Sequence, residues 1–194
     1  WSMTKPVVAI AAMQLVENQK LSLNDTINIY LPEFNNLKVL NSFNSEISDL
    51  IDLKRQPTIK DLLLHTAGFS YNFLSDSLAS QYDKINLFSS SNSTLKDEIN
   101  LLSSLPLLFQ PGTNWRYSVS MDVLGRILEV IENNSLQKIL KKQIFEPLCM
   151  YDTTFCLEEK NIHRLMRSYE YDEINNKLTE HILEPQRIGN FGHP

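Results

Sequence analysis

The 194-residue chain has a net charge of −5, with 42% hydrophobic and 21% charged residues, and this balance is typical of a globular domain. Its length predicts one domain with a single sizeable core. The basic residues are scattered, which excludes the basic patch or stripe of a nucleic-acid-binding surface, and no apolar run approaches the roughly 20 residues that span a bilayer.

The chain has only two cysteines, Cys149 and Cys156, which are too few for a disulfide framework. No His or Cys lies near them at metal-ligand spacing, so both are expected to be core thiols. The chain begins with Trp1 and ends in the polar stretch IGNFGHP. We therefore expect a piece of a longer protein, and the sequence leaves its compartment open between bacterial periplasm and cytoplasm.

The first half of the chain is predicted to be mainly helical. Residues 3–18 are apolar almost all round, which is typical of a helix buried on most sides. LSLNDTINIYLPEF predicts a turn and a short helix stopped by proline. PTIKDLLLHTAGF predicts another short helix, with Thr58 as N-cap, Asp61 as its box partner and Gly68 just past the end. Residues 70–94 predict a long surface excursion, and residues 36–56 give no clear signal.

The second half follows the same trend. STLKDEINLLSSLPLLF predicts an amphipathic helix, QPGTNW a turn, Ser120–Glu132 a further helix, and SLQKILKKQIFEPL a helix that ends at Pro147. RSYEYDEINNKLTEH alternates around an Asn-Asn pair and predicts a hairpin. The sequence therefore predicts a dominantly helical chain with little strand and no internal repeat.

Ser-x-x-Lys is the first pattern that could carry chemistry, and it occurs three times. Ser93 and Ser135 precede helices of mixed polarity, so we interpret both as N-caps followed by exposed lysines. Ser2 and Lys5 instead lead into the apolar first helix. Desolvation favours a neutral lysine amine, and such an amine one turn from a hydroxyl can take its proton. On position alone, Ser2 and Lys5 fit equally well a helix cap followed by a solvated charge and a nucleophile with its base.

Three further side chains are candidates. Tyr117 precedes the apolar helix at Ser120. A tyrosine, with a pKa of about 10, acts as a base only beside cations that favour its phenolate. Without such cations, a structural role for Tyr117 as an aromatic at the edge of the core is favoured.

His65 ends a helix, where it can satisfy terminal carbonyls, so a structural role is preferred. Asp122 is expected to cap or orient the turn that carries Tyr117. His163 is expected at the surface.

Four stretches, in this order, resemble the serine β-lactamase and penicillin-binding-protein superfamily on its class C and carboxylesterase branch: SMTKP, LSLNDTINIYLPEF, TIKDLLLHTAGF and PGTNWRYSVSMDVLGRILEVI. PLCMYDTTF follows as the usual sequel. The resemblance implies an α+β fold of the β-lactamase/transpeptidase type. Residues 1–194 are then one partial domain, the mostly α-helical region, without the N-terminal strands and most of the antiparallel sheet.

The resemblance also implies an acyl-enzyme mechanism. Ser2 is then the acylated nucleophile, Lys5 takes or relays its proton, and Tyr117 is the second catalytic base. Trp115 and Val119 are expected to contact the substrate. No metal or organic cofactor is expected. The partner is a small ester or lactam, and the sequence does not fix the oligomeric state.

Two departures from the family pattern limit what the resemblance implies. Tyr-x-Asn, usual in the β-lactamases and peptidases, is here Tyr117-Ser118-Val119, which favours esters over β-lactams and D-amino-acid peptides. The third motif, Lys-Thr-Gly or His-x-Gly, is absent, and the terminal Phe-Gly-His-Pro has its Gly and His in the wrong order. We therefore expect an esterase in the full-length protein and a nearly inactive isolated chain. The alternatives are a β-lactamase or D-amino-acid peptidase, and a catalytically silent ligand-binding relative.

Overall fold

The computed structural model describes residues 2–88, 93–155 and 157–181. The expected core thiol Cys156, the terminal Phe-Gly-His-Pro and Trp1 lie outside these residues. Within them the helices are α1 (Thr4–Glu17), α2 (Ile59–Leu63), α3 (Ala79–Lys84), α4 (Leu95–Leu102), α5 (Ser120–Glu132) and α6 (Leu136–Leu140). A π-helical turn, Lys141–Phe145, continues α6, and short 3₁₀ helices cover Ile27–Ile29, Pro32–Asn36 and Glu159–Arg164.

Two antiparallel hairpins supply the strands among the described residues. β1 (Lys38–Leu40) pairs with β2 (Leu50–Asp52), within residues 36–56, for which no element was predicted. β3 (Ser168–Asp172) pairs with β4 (Lys177–His181), so the predicted hairpin is confirmed. β1 is also hydrogen-bonded to the core residue Leu107. The Leu107 N–H donates to the Lys38 carbonyl at 2.8 Å, and the Leu40 N–H donates to the Leu107 carbonyl at 2.9 Å.

Helix α5 lies at the centre of the core and contacts α1, α2, α4 and α6. Its apolar residues recur at helical spacing, and both Ile127 and Leu128 are fully buried, as expected of a helix with neighbours on several sides. Gly125 lies against α6, where a Cβ would be 2.9 Å from the flexible end of the Leu136 side chain. The α5 N-terminus is therefore anchored by a large core, and the segment before it has a fixed starting point.

Helix α1 differs from its prediction. Val8, Ala11 and Leu15 are buried, but Ile10 is 52% and Met13 44% exposed. The helix packs against α5, α6 and the π-helical turn along one side, so its opposite side is exposed in the described part of the chain. The expectation of burial on most sides is wrong for these residues.

Other local predictions have mixed outcomes. The capping box of Thr58 and Asp61 at α2 is confirmed. The short helix predicted before Pro32 is confirmed as the 3₁₀ helix Ile27–Ile29. Pro32 then begins a second 3₁₀ helix, as suits a residue with a fixed φ and no N–H. Residues 70–94 are not wholly a surface excursion, because α3 lies within them and buries Tyr82. Cys149 is exposed, so its predicted place in the core is wrong.

Candidate active site

Ser2 and Lys5 lie one helical turn apart at the start of α1. Ser2 is in the turn before the helix and is exposed, whereas Lys5 is half-buried. The Lys5 N–H donates to the Ser2 carbonyl at 3.2 Å, and Lys5 Nζ donates to Ser2 Oγ at 3.4 Å. The helix geometry therefore brings the amine to the hydroxyl that the Ser-x-x-Lys spacing predicted.

Tyr117 reaches this pair from a distant part of the sequence. Its phenolic oxygen forms a short hydrogen bond with Ser2 Oγ, across a separation of 115 residues. The ammonium of Lys5 lies 4.8 Å from the centre of the Tyr117 ring. The structure thus brings together the three residues that the sequence selected as nucleophile, neighbouring amine and second base.

Tyr71 is a fourth member that the sequence analysis missed. Lys5 Nζ lies 5.3 Å from the centre of its ring, and the Tyr71 and Tyr117 rings are 5.3 Å apart. Phe73 stacks on Tyr71 with ring centres 4.8 Å apart and is 68% exposed. Two ring faces therefore meet the amine of Lys5, and such contacts stabilise an ammonium group.

The electrostatics of the site favour ionisation of Tyr117. Burial raises the pKa of its phenol, but the hydrogen bonds from Ser2 and Lys5 and the positive charge of Lys5 outweigh burial and lower this pKa below its ordinary value. In contrast, burial and the negative charge of Asp122 raise the pKa of Tyr71. Of these two neighbouring tyrosines, Tyr117 is therefore the one prepared to act as a base.

Asp122 lies in the first turn of α5, near the same group. The N-cap residue is Val119, which makes no side-chain cap hydrogen bond, and the Asp122 carboxyl accepts from its own backbone N–H. Its role in capping or orienting the turn stays a prediction. Burial raises the pKa of this carboxyl to about 6, although the charge of Lys5 opposes the shift. Asp122 is thus a poorly solvated acid in the field of Lys5.

His65 also differs from its predicted contacts. Its Nδ1 lies 3.1 Å from Ser118 Oγ instead of meeting helix-terminal carbonyls, and its ring centre is 5.1 Å from that of Tyr117. Burial, and secondly the charge of Lys5, lower the pKa of His65. The imidazole is therefore mainly neutral at pH 7 and packs against the Tyr117 ring.

The two predicted substrate contacts are placed very differently. Trp115 is 66% exposed, and its ring meets His65 edge-on at 6.4 Å, so it is available at the surface beside the site and its contact with substrate stays a prediction. Val119 is 1% exposed and belongs to the core. Its contact with substrate also stays a prediction, and its burial leaves little of the side chain accessible.

A buried ion pair fixes the loop that carries Tyr71. The Asp76 carboxylate is fully buried and accepts from Arg116 Nη2 at 2.7 Å and Nε at 3.1 Å. It also accepts a short hydrogen bond from Ser70 Oγ. Arg116 directly precedes Tyr117, so this network joins the two aromatic segments of the site. Asp76 and Arg116 are 40 residues apart, and no spacing pattern in the sequence indicates the pair.

The other Ser-x-x-Lys pairs lie outside the site. Ser135 occupies the N-cap position of α6, as predicted, but without a side-chain cap hydrogen bond. Helix α4 is capped by Thr94 in a box with Asp97, and Ser93 Oγ donates to Glu98, so the N-cap predicted at Ser93 is off by one residue. His163 is exposed, as predicted.

Two other features are absent from residues 2–88, 93–155 and 157–181. No group of three or more His, Cys, Asp or Glu side chains there could hold a metal ion. None of the helices there combines the length and apolar character needed to cross a membrane.

A protein-family model described as Beta-lactamase matches residues 1–185. The chain belongs to the beta-lactamase family. This beta-lactamase-family chain is similar to the lovastatin esterase of Penicillium rubens, with 36% identity over 79% of this chain and 38% of the relative. It is also similar to the esterase EstB of Burkholderia gladioli, with 32% identity over 81% of this chain and 38% of EstB.

Among solved structures, it resembles EstCE1, described as a hydrolase with promiscuous acyltransferase activity. The TM-score is 0.75 at 28% identity, covering 92% of this chain and 43% of EstCE1. The chain therefore has a β-lactamase/transpeptidase-like fold, here as mostly helical structure with two small antiparallel sheets. It spans less than half the length of each of these relatives.

Proposed function

We propose that the protein is a serine hydrolase that forms an acyl-enzyme on Ser2, with small carboxylic esters as its main substrates. One observation carries the proposal: Ser2 Oγ is hydrogen-bonded to Tyr117 while Lys5 lies beside both. A nucleophile within reach of a base, and a base held by a third group, is the arrangement that activates an alcohol.

In the proposed acylation step, Ser2 Oγ attacks the ester carbonyl carbon and its proton passes to the phenolate oxygen of Tyr117. The tetrahedral intermediate then expels the alcohol, which takes the proton back from Tyr117. In deacylation a water molecule attacks the acyl carbon and loses its proton to Tyr117, and Ser2 regains a proton as it leaves. The net reaction consumes one ester and one water and yields an acid and an alcohol.

Lys5 has two possible parts in this scheme. As an ammonium ion it stabilises the phenolate, in keeping with its contacts with two ring faces and its effect on Tyr117. As a neutral amine, the role predicted from its apolar surroundings, it takes or relays the Ser2 proton itself. We favour the first role, because Ser2 Oγ is hydrogen-bonded to the phenol oxygen of Tyr117, whereas Lys5 Nζ donates to Ser2 Oγ from 3.4 Å instead of accepting its proton.

Two observations support esters as the substrate class. Val119 stands where the β-lactamases and peptidases of the family carry an amide side chain, and it is buried. Two of the similar proteins are named as esterases. Transfer of the acyl group to an alcohol instead of water needs no further group, and EstCE1, whose description includes acyltransferase activity, favours this as a second reaction of the same acyl-enzyme.

The proposal is tested by labelling and turnover in the full-length protein. We expect a fluorophosphonate probe to add its mass to Ser2, and we expect Ser2→Ala and Tyr117→Phe to lower kcat for p-nitrophenyl acetate by 10³-fold or more, an order typical of losing a catalytic group. Lys5→Met should move the acidic limb of the pH–rate profile to higher pH, because the phenolate loses its neighbouring cation.

The control is Ser135→Ala, which removes the hydroxyl of another Ser-x-x-Lys pair and should leave labelling and turnover unchanged. Labelling that persists in Ser2→Ala would refute the assignment of the nucleophile. Faster turnover of nitrocefin than of the aryl ester would favour a β-lactamase. Absence of both labelling and turnover in the folded full-length protein would favour a silent ligand-binding relative.

A further inference from the structure

The His65-Thr66-Ala67-Gly68 segment is joined to the chain that leads up to α5 by a ladder of backbone hydrogen bonds. This ladder lies on both sides of Tyr117. Within this segment, the Gly68 carbonyl accepts the N–H of Leu108 at 2.7 Å, the Thr66 carbonyl that of Gly112 at 2.8 Å and the His65 carbonyl that of Arg116 at 2.9 Å. Just after the segment, the Ser70 carbonyl accepts the N–H of Val119 at 3.2 Å. The backbone around Tyr117 therefore depends on the segment that follows α2.

Within this ladder, His65 bonds to both neighbours of Tyr117. Its carbonyl accepts the N–H of Arg116 at 2.9 Å, and its Nδ1 lies 3.1 Å from Ser118 Oγ. Its ring also packs against the Tyr117 ring, with centres 5.1 Å apart and planes inclined by 41°. One residue thus constrains the tyrosine through the residue before it, through the residue after it and by contact with its ring.

The hydrogen bond of His65 also satisfies a hydroxyl that has little access to water. Ser118 is 1% exposed, and its Oγ lies 2.7 Å from that of Ser120, which is fully buried. A neutral imidazole has one N–H and one acceptor nitrogen, so either tautomer can complete this chain of hydroxyls. Loss of the ring would leave a buried polar group short of a partner, which is costly.

The backbone of His65 has an unusual conformation, with φ at 56°. This left-handed region is uncommon for residues other than glycine, although Asn, Asp and His adopt it more readily than most. It lets the chain turn at the end of α2 so that the carbonyl and the ring of the same residue both face the Tyr117 segment. A residue in this uncommon conformation therefore contacts the same stretch of chain that carries Tyr117.

We infer that His65 is a positioning residue that holds Tyr117 against Ser2 and Lys5 through its bonds to Arg116 and Ser118. The inference deepens the proposed function. The expected effect on catalysis rests on that function, whereas the expected effect on the position and pKa of Tyr117 does not. His65 does not touch the substrate carbonyl or take a proton. It sets where the phenol oxygen lies, and thereby how strongly Lys5 stabilises the phenolate.

Two variants of the full-length protein separate the effect of the His65 ring from the effect of its backbone conformation. His65→Gly removes the ring and tolerates a positive φ, whereas His65→Asn also tolerates it and keeps a polar group near the place of Nδ1. With p-nitrophenyl acetate we expect Gly to lower kcat by about 10–100-fold with KM nearly unchanged, since misplacing a reacting group by about 1 Å has effects of that order. We expect Asn to restore most of kcat.

A second measurement does not depend on turnover. The pKa of Tyr117 is followed by NMR of protein labelled with ¹³C at tyrosine Cζ, and Tyr117→Phe identifies the signal. We expect His65→Gly to raise the pKa of Tyr117, because the phenol moves away from Lys5, and His65→Asn to return it towards the wild-type value. His163→Ala, which removes an exposed histidine, is the matched control and should change neither kcat nor this pKa.

The inference is overturned if folded His65→Gly keeps the wild-type kcat and the wild-type pKa of Tyr117, or if His65→Asn is as impaired as His65→Gly. If His65→Gly does not fold, Ser118→Ala removes the same hydrogen bond with the ring in place, and an unchanged pKa of Tyr117 in that variant overturns the inference. Failure of the proposed function is a different result: Ser2→Ala would keep its activity, while the pKa of Tyr117 would still report on His65.

Discussion

Asp122 is an acid held in poor solvation within the electrostatic field of Lys5 and the two site tyrosines. In the unfolded chain its pKa is about 3.9, and in the folded protein burial raises it to about 6. The folded state therefore binds more protons between these two values. The free energy of unfolding falls as the pH rises through this window, and the penalty persists at pH 7.

Asp122→Asn removes this penalty without changing the size of the side chain. We expect the free energy of unfolding at pH 7 to rise by ~1–3 kcal/mol, the order set by a shift of about two pKa units after partial solvent screening. The difference should disappear near pH 3, below both pKa values, where both states of the wild type are protonated. Urea unfolding at both pH values measures it, and an equal gain at pH 3 and pH 7 would assign the effect to packing.

At the level of single residues, the sequence selects Ser2, Lys5 and Tyr117 because their chemistry is readable from residue type, local spacing and family pattern. It does not select Tyr71 or the partners of His65. Tyr71 belongs to a polar stretch without periodicity, and it reaches Lys5 only through the loop fixed by Asp76 and Arg116. Contacts made by long-range pairing leave no local signal in one sequence.

The turn after α2 shows how an element positions the site. Gly68 has φ at 98°, and a Cβ there would lie 2.6 Å from the carbonyl oxygen of Phe109 and 3.0 Å from Leu107 Cβ. Both the left-handed backbone and the close approach of the neighbouring chain therefore require glycine. This contact lets the His65–Gly68 segment bond to the chain that leads to Tyr117.

We expect Gly68→Ala to lower the free energy of unfolding by about 2–4 kcal/mol, because strain and overpacking act together. Thermal and urea unfolding measure the change. Gly125→Ala is the matched control: it lies inside α5, its new methyl group meets the flexible end of Leu136, and alanine is the better helix former by about 1 kcal/mol. Equal losses in the two variants would contradict the role assigned to Gly68.

Element predictions succeed where a local code exists. The capping box of Thr58 and Asp61, the helix at Ser120–Glu132 and the hairpin at residues 168–181 follow from caps, periodicity and turn residues. The β1–β2 hairpin was missed because its strands are three residues each and β2 is exposed. Helix α3 was missed because its six residues are mostly polar and only tertiary contacts bury Tyr82.

At the scale of the whole molecule, the proposed hydrolase would have its nucleophile at the open edge of these 194 residues. Ser2 is exposed, and the exposed side of α1 includes Ile10 and Met13. The chain covers 38% of the lovastatin esterase and 43% of EstCE1. A hydrolase of this kind needs water exclusion and a complete set of oxyanion donors around its nucleophile.

We expect the isolated 194-residue chain to hydrolyse p-nitrophenyl acetate at least about 10²–10³-fold more slowly than the full-length protein, the loss that follows removal of a single oxyanion donor. The comparison needs circular dichroism to show that the isolated chain is folded. It also needs the Ser2→Ala form of the same chain to subtract background hydrolysis. Comparable turnover by the folded chain and the full-length protein would contradict the expectation.

The hydrogen bond between Ser2 and Tyr117 determines when, during synthesis and folding, Ser2 becomes reactive. It joins residues 115 positions apart, so a growing polypeptide has no such bond until synthesis has passed Tyr117 and a long loop has closed. On the proposed mechanism, the Ser2 hydroxyl is therefore not activated towards an acylating compound in the growing chain or in any denatured molecule. Covalent capture of Ser2 would then count native molecules only.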